Sequence, residues 1–287
     1  MHTLKVRTGG PLLAFLLASF PDQPRTRVKK WLTLGCVSVK GKAVTRHDHR
    51  LASGDEVLVE PGKKTPLAKK GTVKILFQDE TILVVDKPAG LLTVATEKEK
   101  TKTAYFELNE WLRFTNPNKP ERVFIVHRLD RETSGLLVFA KNEEAKHKLQ
   151  KDWEKTGKRY YAVVEGVPPK KEDILKSHLA QNKTLKVYST EKNEYSKLAV
   201  THYRLAKTDG NFSLLEVCPK TGRKNQIRVQ LADLGTPVTG DERYGAKQDP
   251  AGRLALHAYE LTFRHPATGQ NMTFKSELPA SLKNIVQ

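Results

Sequence analysis

Cysteine is scarce in this sequence. Only two cysteines, Cys36 and Cys218, occur among 287 residues, and they form no C-x-x-C pair. A disulfide framework is therefore excluded, and a reducing compartment such as the cytoplasm is the expected location.

Long hydrophobic runs are also missing. No window approaches the ~18 uncharged apolar residues that a membrane-spanning helix needs, which excludes a channel or a transporter and predicts no membrane partner. The apolar segment that follows Lys5 and Arg7 imitates a secretory signal. Because Leu13, Leu16 and Phe20 recur there at helical spacing, we interpret the segment as an amphipathic helix instead.

Acidic residues are few relative to basic ones. The chain has 32 Asp and Glu against 50 Lys and Arg, which gives a formal net charge of +18. The excess is spread along the chain and is not confined to a tail, so we expect a polyanionic partner.

Templates for nucleotide hydrolysis and metal binding are absent from the sequence. No G-x-G-x-x-G occurs, and the glycines before Lys42 lack the spacing of a phosphate-binding loop. His47 and His49 form an H-x-H pair without cysteine or carboxylate partners at metal spacing. We therefore expect no metal.

Residues 10–60 have the pattern of two helices and a small sheet. The second helix, over residues 25–34, places apolar side chains on one face and cations on the other, and Gly35 follows it as a helix stop. The cations are Arg27, Lys29 and Lys30. An alternating pattern with a turn at Lys40-Gly41 follows this helix and predicts the sheet.

A change in composition marks a domain boundary. Residues 61–71 contain two prolines and four lysines, which is typical of a linker. We predict a first domain at 1–60, a basic linker at 61–72 and a second domain at 73–287.

The second domain is rich in predicted strands. Turn signals join neighbouring strands, as at Asp209-Gly210 and at residues 267–269. The fold class is therefore predicted as α+β, with a mixed, largely antiparallel sheet and helices on its faces. The predicted strands are 73–77, 82–85, 123–126, 136–140, 160–167, 203–206, 212–217 and 254–263, and the predicted helices are 104–112, 143–153 and 226–234.

The segment His127-Arg-Leu-Asp-Arg-Glu-Thr-Ser-Gly135 connects two apolar strands and is dense in ionisable side chains. Asp130 lies between Arg128 and Arg131, and an opposite charge nearby favours an ionised carboxylate. Asp130 is thus a candidate nucleophile or base. The alternative is a surface loop whose solvated ion pairs contribute ~0–1 kcal/mol each.

Two further polar segments occur in the second half of the chain. The segment Lys220-Thr-Gly-Arg-Lys-Asn-Gln-Ile-Arg228 brings four cations to a predicted helix start, a setting that suits phosphate. Alternatively, it is only a basic helix entry in which Gly222 serves the turn. The segment 240–245 ends in Tyr244-Gly245, and that tyrosine either stacks on a base or covers the sheet edge.

Several motifs, in order along the chain, resemble the RluA-type pseudouridine synthases. They are HRLDRETSGLLVFAKN, beginning at His127, together with DKPAGL at 86–91, KRYYA at 158–162, QIR at 226–228, GD with YG at 240–245, and LHA with HP at 256–266. The similarity covers most of residues 73–287. Residues 10–60 are similar to the small RNA-binding module named after ribosomal small-subunit protein S-four.

The resemblance implies specific roles for the matched residues. Asp130 would be the catalytic residue, Arg228 would pair with it, Tyr160 would be the active-site tyrosine and Ile227 would line the base pocket. Arg128 would fill the space of the flipped base or bind phosphate. Gly222, Arg223, Lys224 and Asn225 would contact the substrate, although Lys224-Asn225 replaces the usual Thr-His of the family.

The implied activity is isomerisation of uridine in RNA by a cofactor-independent enzyme. The expected substrate is large-subunit ribosomal RNA, with transfer RNA as the other possibility, and the expected state is a monomer. A non-catalytic RNA-binding or ribosome-assembly factor is the competing interpretation. A DNA-binding regulator that uses the basic second helix is weaker, because it leaves residues 73–287 unexplained.

Overall fold

A computed structural model describes residues 2–33, 35–44, 46–61, 73–116 and 121–286. The chain divides into two compact units, the first formed mainly by the chain before residue 61 and the second mainly by the chain after residue 73. Apart from Pro61, the predicted linker lies outside the described residues. Within the described residues, no helix is long and apolar enough to cross a membrane.

The first unit contains two helices and two small sheets. Strands β1, β6, β3 and β4 form one antiparallel sheet in that order, and β2 pairs with β5. The elements are β1 (His2–Lys5), β2 (Gly10–Pro11), α1 (Leu12–Ser19), α2 (Arg25–Thr33), β3 (Val37–Val39), β4 (Lys42–Ala43), β5 (Arg50–Leu51) and β6 (Glu56–Val59).

The helical patterns of the first unit form its core. Leu16 of α1 and Val28 of α2 are fully buried, while Leu13, Leu17 and Phe20 pack against the same cluster. Arg27 and Lys29 are exposed and Lys30 is half-buried, as the amphipathic pattern predicts.

Backbone conformation explains where α2 ends and how β3 connects to β4. Gly35 follows α2 with a φ of 67°, which a glycine adopts without strain. The β3–β4 turn places both Lys40 and Gly41 at positive φ. That geometry is the one required by a tight two-residue hairpin.

The second unit is built on an eleven-stranded sheet among the described residues. Nine strands follow the order β13-β12-β14-β15-β11-β16-β10-β8-β7, while β17 pairs with β16 and β9 with β10. The strands are β7 (Lys74–Gln78), β8 (Ile82–Lys87), β9 (Phe124–Ile125), β10 (Ser134–Ala140), β11 (Gly157–Glu165), β12 (Glu172–Gln181), β13 (Val187–Thr190), β14 (Lys197–Thr208), β15 (Phe212–Pro219), β16 (Leu256–Arg264) and β17 (Asn271–Lys275). The helices are α3 (Ala104–Thr115), α4 (Glu143–Lys151), α5 (Gln226–Asp233) and α6 (Ala280–Lys283).

The pairing of these strands confirms a mixed, mostly antiparallel sheet. β10 and β16 run parallel through the pairs Ser134–His257 and Gly135–Ala258, whereas the other ladders of this sheet are antiparallel. The predicted hairpin at Asp209-Gly210 joins β14 to β15.

Three strands of this sheet were not predicted, namely β12, β13 and β17. Strand β12 has the sequence EDILKSHLAQ. Its exposed positions include charged residues as well as the apolar Ile174, which is 48% exposed. This obscures the alternation that sequence patterns rely on. Of the two cysteines, Cys36 is buried and Cys218, on β15, is partly exposed.

Helix α5 packs against two strands of this sheet, β11 and β15. Its residues Ile227 and Leu231 are buried against Ala162 and Val217 of β11 and β15. This packing leaves the first turn of α5 facing the loop that precedes β10.

Candidate active site

A cavity of about 340 Å³ opens where the loop before β10, strand β11 and the start of α5 meet. Each catalytic or substrate-binding residue that the sequence predicts in the second domain lines it. These residues are Arg128, Asp130, Tyr160, Gly222, Arg223, Lys224, Asn225, Ile227 and Arg228. Positions up to 100 residues apart in the chain are thereby brought to one concave surface.

Asp130 lies in an irregular loop that is held from both sides. The Thr93 hydroxyl donates to the Leu129 carbonyl at 2.8 Å and accepts from the Leu129 amide at 3.2 Å. On the other side, the Thr133 amide donates to the Asp130 carbonyl at 3.2 Å. The carboxylate is therefore carried on a fixed backbone although it lies outside regular structure.

A buried lysine fastens the same loop to the turn after β8. Lys87 is fully buried, and its ammonium donates to the carbonyls of Pro88, Leu91 and Arg131 at 2.9, 2.8 and 3.1 Å. These three acceptors match the three donors of an ammonium group. Burial, opposed in part by nearby carboxylates such as Glu132, lowers the pKa of Lys87 to about 7.

Arg228, in the first turn of α5, is the cation nearest to Asp130. Its Nη1 lies 3.7 Å from Asp130 Oδ2. Its Nε and Nη2 donate to the two carboxylate oxygens of Asp241 at 2.6 and 2.7 Å. Burial acts to lower the pKa of Arg228, but the hydrogen bonds and charge of Asp241, together with Asp130, raise it above its ordinary value.

Asn225 also contacts Arg228 and helps to fix its orientation. It precedes α5 with a left-handed φ of 52°, a conformation that asparagine adopts more readily than most residues. Its Oδ1 accepts from Arg228 Nη1 at 3.2 Å, and its Nδ2 donates to the Tyr244 hydroxyl at 3.0 Å. The Arg228 guanidinium also lies 5.0 Å from the centre of the Tyr244 ring.

Tyr160 forms another wall of the cavity from β11. It packs against both large hydrophobic clusters of the second unit that flank the site. Burial, followed by the negative charge of Asp130, raises the pKa of its hydroxyl. The side chain is therefore a neutral phenol at physiological pH and offers an aromatic surface beside the carboxylate.

His127, three residues before Asp130, has a structural contact. Its Nε2 accepts a hydrogen bond from the Val138 amide at 3.1 Å, and its ring stacks on Trp153 at 4.2 Å. Burial, assisted by the charge of Lys158, lowers its pKa to about 3. The ring is consequently neutral near pH 7 and does not line the cavity.

The mouth of the cavity is basic. Arg128, Arg223 and Lys224 are exposed, while the turn that carries the last two is fixed from beneath by Gln226. The side chain of Gln226 accepts from Thr221 Oγ1 at 2.7 Å and from the Arg223 amide at 3.0 Å. The arrangement is a rigid turn with cations displayed at its surface, which suits a phosphate backbone.

Two contacts of this site were missed at the level of sequence. The sequence singles out the segment 240–245 but does not predict that Asp241 pairs with Arg228. It assigns Tyr244 either to stacking on a base or to covering the sheet edge, whereas Tyr244 contacts Asn225 and Arg228. The signal was present in the aspartate that follows Gly240, but the pairing depends on how the chain folds. Among the described residues, no three His, Cys, Asp or Glu side chains are grouped as metal ligands would be.

Comparisons with known proteins identify the family of this chain. The family described as RNA pseudouridylate synthase matches residues 81–233, a range that contains Asp130, Tyr160 and Arg228. An RNA pseudouridine synthase of Bacillus subtilis (strain 168), YlyB, described as uncharacterized, is 33% identical over 281 residues, covering 95% of this chain and 92% of the relative. Ribosomal large subunit pseudouridine synthase D of Neisseria meningitidis serogroup B is 32% identical over 301 residues, covering 97% and 78%.

A solved structure also matches. Human RNA Pseudouridylate Synthase Domain Containing 4 superposes with a TM-score of 0.60 at 25% identity, over 73% of this chain and 90% of that one. Pseudouridine synthases are isomerases. The family model and the near full-length relatives therefore establish that this chain belongs to the RNA pseudouridylate synthase family and is an isomerase.

Proposed function

We propose that this protein isomerises specific uridines to pseudouridine in large-subunit ribosomal RNA, in the cytoplasm and as a monomer. The substrate assignment is supported by relatives about 32% identical that are named ribosomal large subunit pseudouridine synthase D.

One observation carries the catalytic assignment. Asp130 faces the cavity with a guanidinium 3.7 Å away, and that guanidinium is itself held by both oxygens of Asp241. Arg228 thus remains charged and oriented without depending on Asp130. A preorganised charge of this kind stabilises reacting groups at little reorganisation cost.

The reaction explains why such a carboxylate is needed. Pseudouridine formation breaks the C–N glycosidic bond, turns the uracil and joins its C5 to the ribose C1′, so the reaction is redox-neutral and requires no cofactor. Asp130 would act on the ribose, either as a nucleophile at C1′ or as a base toward a sugar proton. Both roles require an ionised carboxylate within contact of the sugar.

The remaining cavity residues would hold the base. A uridine in a helix or loop must leave its stack to reach Asp130. Tyr160 would stack on the uracil and Ile227 would line the pocket, which would keep the detached base close to the sugar. Arg128 would fill the vacated space in the RNA or bind an adjacent phosphate.

The basic surfaces would bind the RNA backbone. We assign phosphate or flanking-nucleotide contacts to Gly222, Arg223 and Lys224, which surround the cavity mouth. Asn225 would hold Arg228 in place through its hydrogen bond to Nη1. We also propose that residues 1–60 are an S-four-like RNA-binding domain, that 61–72 are a linker and that 73–287 are the catalytic domain. In the first domain, Arg27, Lys29 and Lys30 would contact RNA.

The test is the Asp130→Asn variant, assayed on large-subunit ribosomal RNA from cells that lack the gene. We expect no pseudouridine formation, with RNA affinity within a few-fold of wild type because phosphate contacts dominate binding. Glu132→Gln is the matched control, since it removes one negative charge two residues away on an exposed side chain. Turnover by Asp130→Asn would remove Asp130 from the mechanism.

A second measurement separates the enzyme from a binding-only assembly factor and identifies the RNA. Pseudouridines would be mapped chemically in ribosomal and transfer RNA from cells with and without the gene. Loss of a site in large-subunit ribosomal RNA supports the proposal, whereas loss only in transfer RNA changes the substrate. No lost site, combined with a ribosome-assembly defect, supports the binding factor.

A further inference from the structure

Five polar side chains next to the catalytic loop form a continuous hydrogen-bonded network that the site described above does not use. Arg253 Nη2 lies 2.7 Å from Ser134 Oγ, and Ser134 Oγ lies 2.8 Å from His257 Nδ1. His257 Nε2 lies 3.1 Å from the Ser276 hydroxyl, which donates to Asp86 Oδ2. Ser134 and His257 are 4% and 1% exposed.

The two ends of this network determine the direction of its hydrogen bonds. A guanidinium only donates and a carboxylate only accepts. Ser134 therefore accepts from Arg253 and donates to Nδ1 of His257, which leaves Nε2 protonated and donating to Ser276. Burial lowers the pKa of His257 to about 4, in agreement with this neutral ring.

The network joins two walls of the cavity. Ser134 is the first residue of β10 and lies four residues after Asp130, while Arg253 also donates to the carbonyl of Leu256 at 3.3 Å. Leu256 lines the cavity. The network therefore connects the chain leaving Asp130 with the chain entering the opposite wall.

The network lies at the point where these two walls have few other direct connections. Strands β10 and β16 pair in parallel through only two residue pairs, Ser134–His257 and Gly135–Ala258. A short ladder fixes the relative position of two strands less firmly than a long one. A fully satisfied buried network specifies that position instead, because breaking any link leaves a desolvated polar group.

We infer that Ser134, His257 and Ser276 are positioning residues for uridine isomerisation, which hold Asp130 at the correct distance from the Leu256 wall. This inference rests on the proposed function. It also gives a physical role to the histidine of the Leu256-His257-Ala258 motif, which lies outside the cavity. Displacing a reacting group by about 1 Å is sufficient to reduce a rate by about a hundredfold.

The test uses two single variants of the full chain, Ser134→Ala and Ser276→Ala, and their double variant. We expect the single-turnover rate constant at saturating enzyme to fall by about tenfold or more in each single variant. The dissociation constant for large-subunit ribosomal RNA should stay within about twofold. Because one intact network is lost in either case, the double variant should be little slower than the slower single variant.

The control variant is Thr273→Val, which removes a hydroxyl from the exposed Thr262–Thr273 bond between β16 and β17. Folded fraction and midpoint temperature would be measured for every variant, and rates would be compared well below the lowest midpoint. If the two serines only stabilise the fold, the rate constant of each variant should fall in proportion to its folded fraction. Variants and wild type should then have equal rate constants when they are compared at equal folded fraction.

The possible outcomes separate the two claims. If wild type forms pseudouridine and both folded alanine variants do so within about twofold of its rate, the positioning role is overturned and the proposed function stands. Fully additive losses in the double variant would likewise overturn the network as a unit. If wild type forms no pseudouridine, the proposed function fails and the inference fails with it. If Asp130→Asn retains full activity, the catalytic role of Asp130 and the positioning role both fail, while the isomerase activity stands.

Discussion

Arg228 has three kinds of neighbour, and each constrains it differently. Asp241 fixes its orientation through two hydrogen bonds, Asn225 binds one edge through Nη1, and the Tyr244 ring covers it at 5.0 Å. Among its contacts with polar atoms, the one with Asp130 is the longest, at 3.7 Å. The arginine is therefore positioned by Asp241, Asn225 and Tyr244, and its remaining interaction is available to Asp130.

His127 shows that a histidine near a candidate catalytic residue need not exchange protons. Its Nε2 is occupied as an acceptor for the Val138 amide. An imidazolium cannot accept at that atom, so protonation would break the bond and leave the amide without its partner. The histidine of the His-Arg-Leu-Asp motif thus stabilises the loop that carries Asp130.

This contact predicts a pH-dependent stability that His127→Gln should reduce. The folded pKa of about 3 lies below the unfolded value of ~6.5. As pH falls from about 6.5 to 5, the unfolded chain binds a proton that the folded chain does not, so the free energy of unfolding falls by about 1–2 kcal/mol. Glutamine keeps an acceptor for the Val138 amide and does not titrate.

Urea unfolding at pH 7.5, 6.5 and 5.0 would measure this difference. His257, whose pKa is lowered to about 4, acts in the same direction but is present in both proteins and cancels from the comparison. An unchanged pH slope in His127→Gln would show that His127 is already protonated, or exposed, in the folded state.

Strands β10 and β16 approach closely because of a glycine. Gly135 has a φ of 115°, and a Cβ built on it would lie 2.2 Å from the Ala258 carbonyl oxygen. The backbone of β16 cannot yield to this contact without leaving the sheet. The parallel pair beside the active site therefore requires glycine at this position, for both conformation and space.

We expect Gly135→Ala to reduce the free energy of unfolding by at least about 3 kcal/mol, since strain and a backbone clash add together. Gly210→Ala is the matched control. Gly210 also has a positive φ, 93°, but a Cβ there meets no atom within 4 Å. That variant should lose only the conformational part, about 1–2 kcal/mol. Equal losses by chemical denaturation would contradict the close approach of β10 and β16.

The charge of the whole chain provides the long-range attraction to RNA. Its formal value is +18, and basic residues occur both at the cavity mouth and on α2 of the first unit. Neutralising phosphates releases counterions, so affinity should fall steeply with salt concentration. The distribution predicts that the two units contribute separately to this dependence.

Deletion of residues 1–70 tests that division. The second unit has its own hydrophobic clusters and contains every described residue that lines the cavity. We therefore expect a folded protein that still forms pseudouridine but binds RNA more weakly and with a smaller salt slope. Binding isotherms at several salt concentrations would measure both quantities. Unchanged affinity and slope would show that residues 1–70 do not anchor RNA.

The sequence by itself determined the α+β class, both helices of the first unit and all nine cavity residues proposed from the motifs. The fold class and the helices depend on local information, such as helical periodicity and turn residues at Gly35 and Gly210. Asp130 lies in a dense polar segment between apolar strands, whereas Tyr160 and Ile227 were implied only by the family resemblance. Strand β12 escaped prediction because exposed apolar residues such as Ile174 interrupt its alternation. Strands β13 and β17 were also missed, although Met272 and Phe274 of β17 alternate with polar residues.

Only the tertiary structure decided which of these groups meet. Arg228 pairs with Asp241, 13 residues away, and Ser134 bonds to His257, 123 residues away. Both contacts depend on the strand order β11-β16-β10-β8 and on the packing of α5 against that sheet. Periodicity reports which face of an element is buried, but it carries no information on which elements lie side by side. The nine cavity residues could therefore be predicted from the sequence, whereas the contacts that hold them in place could not.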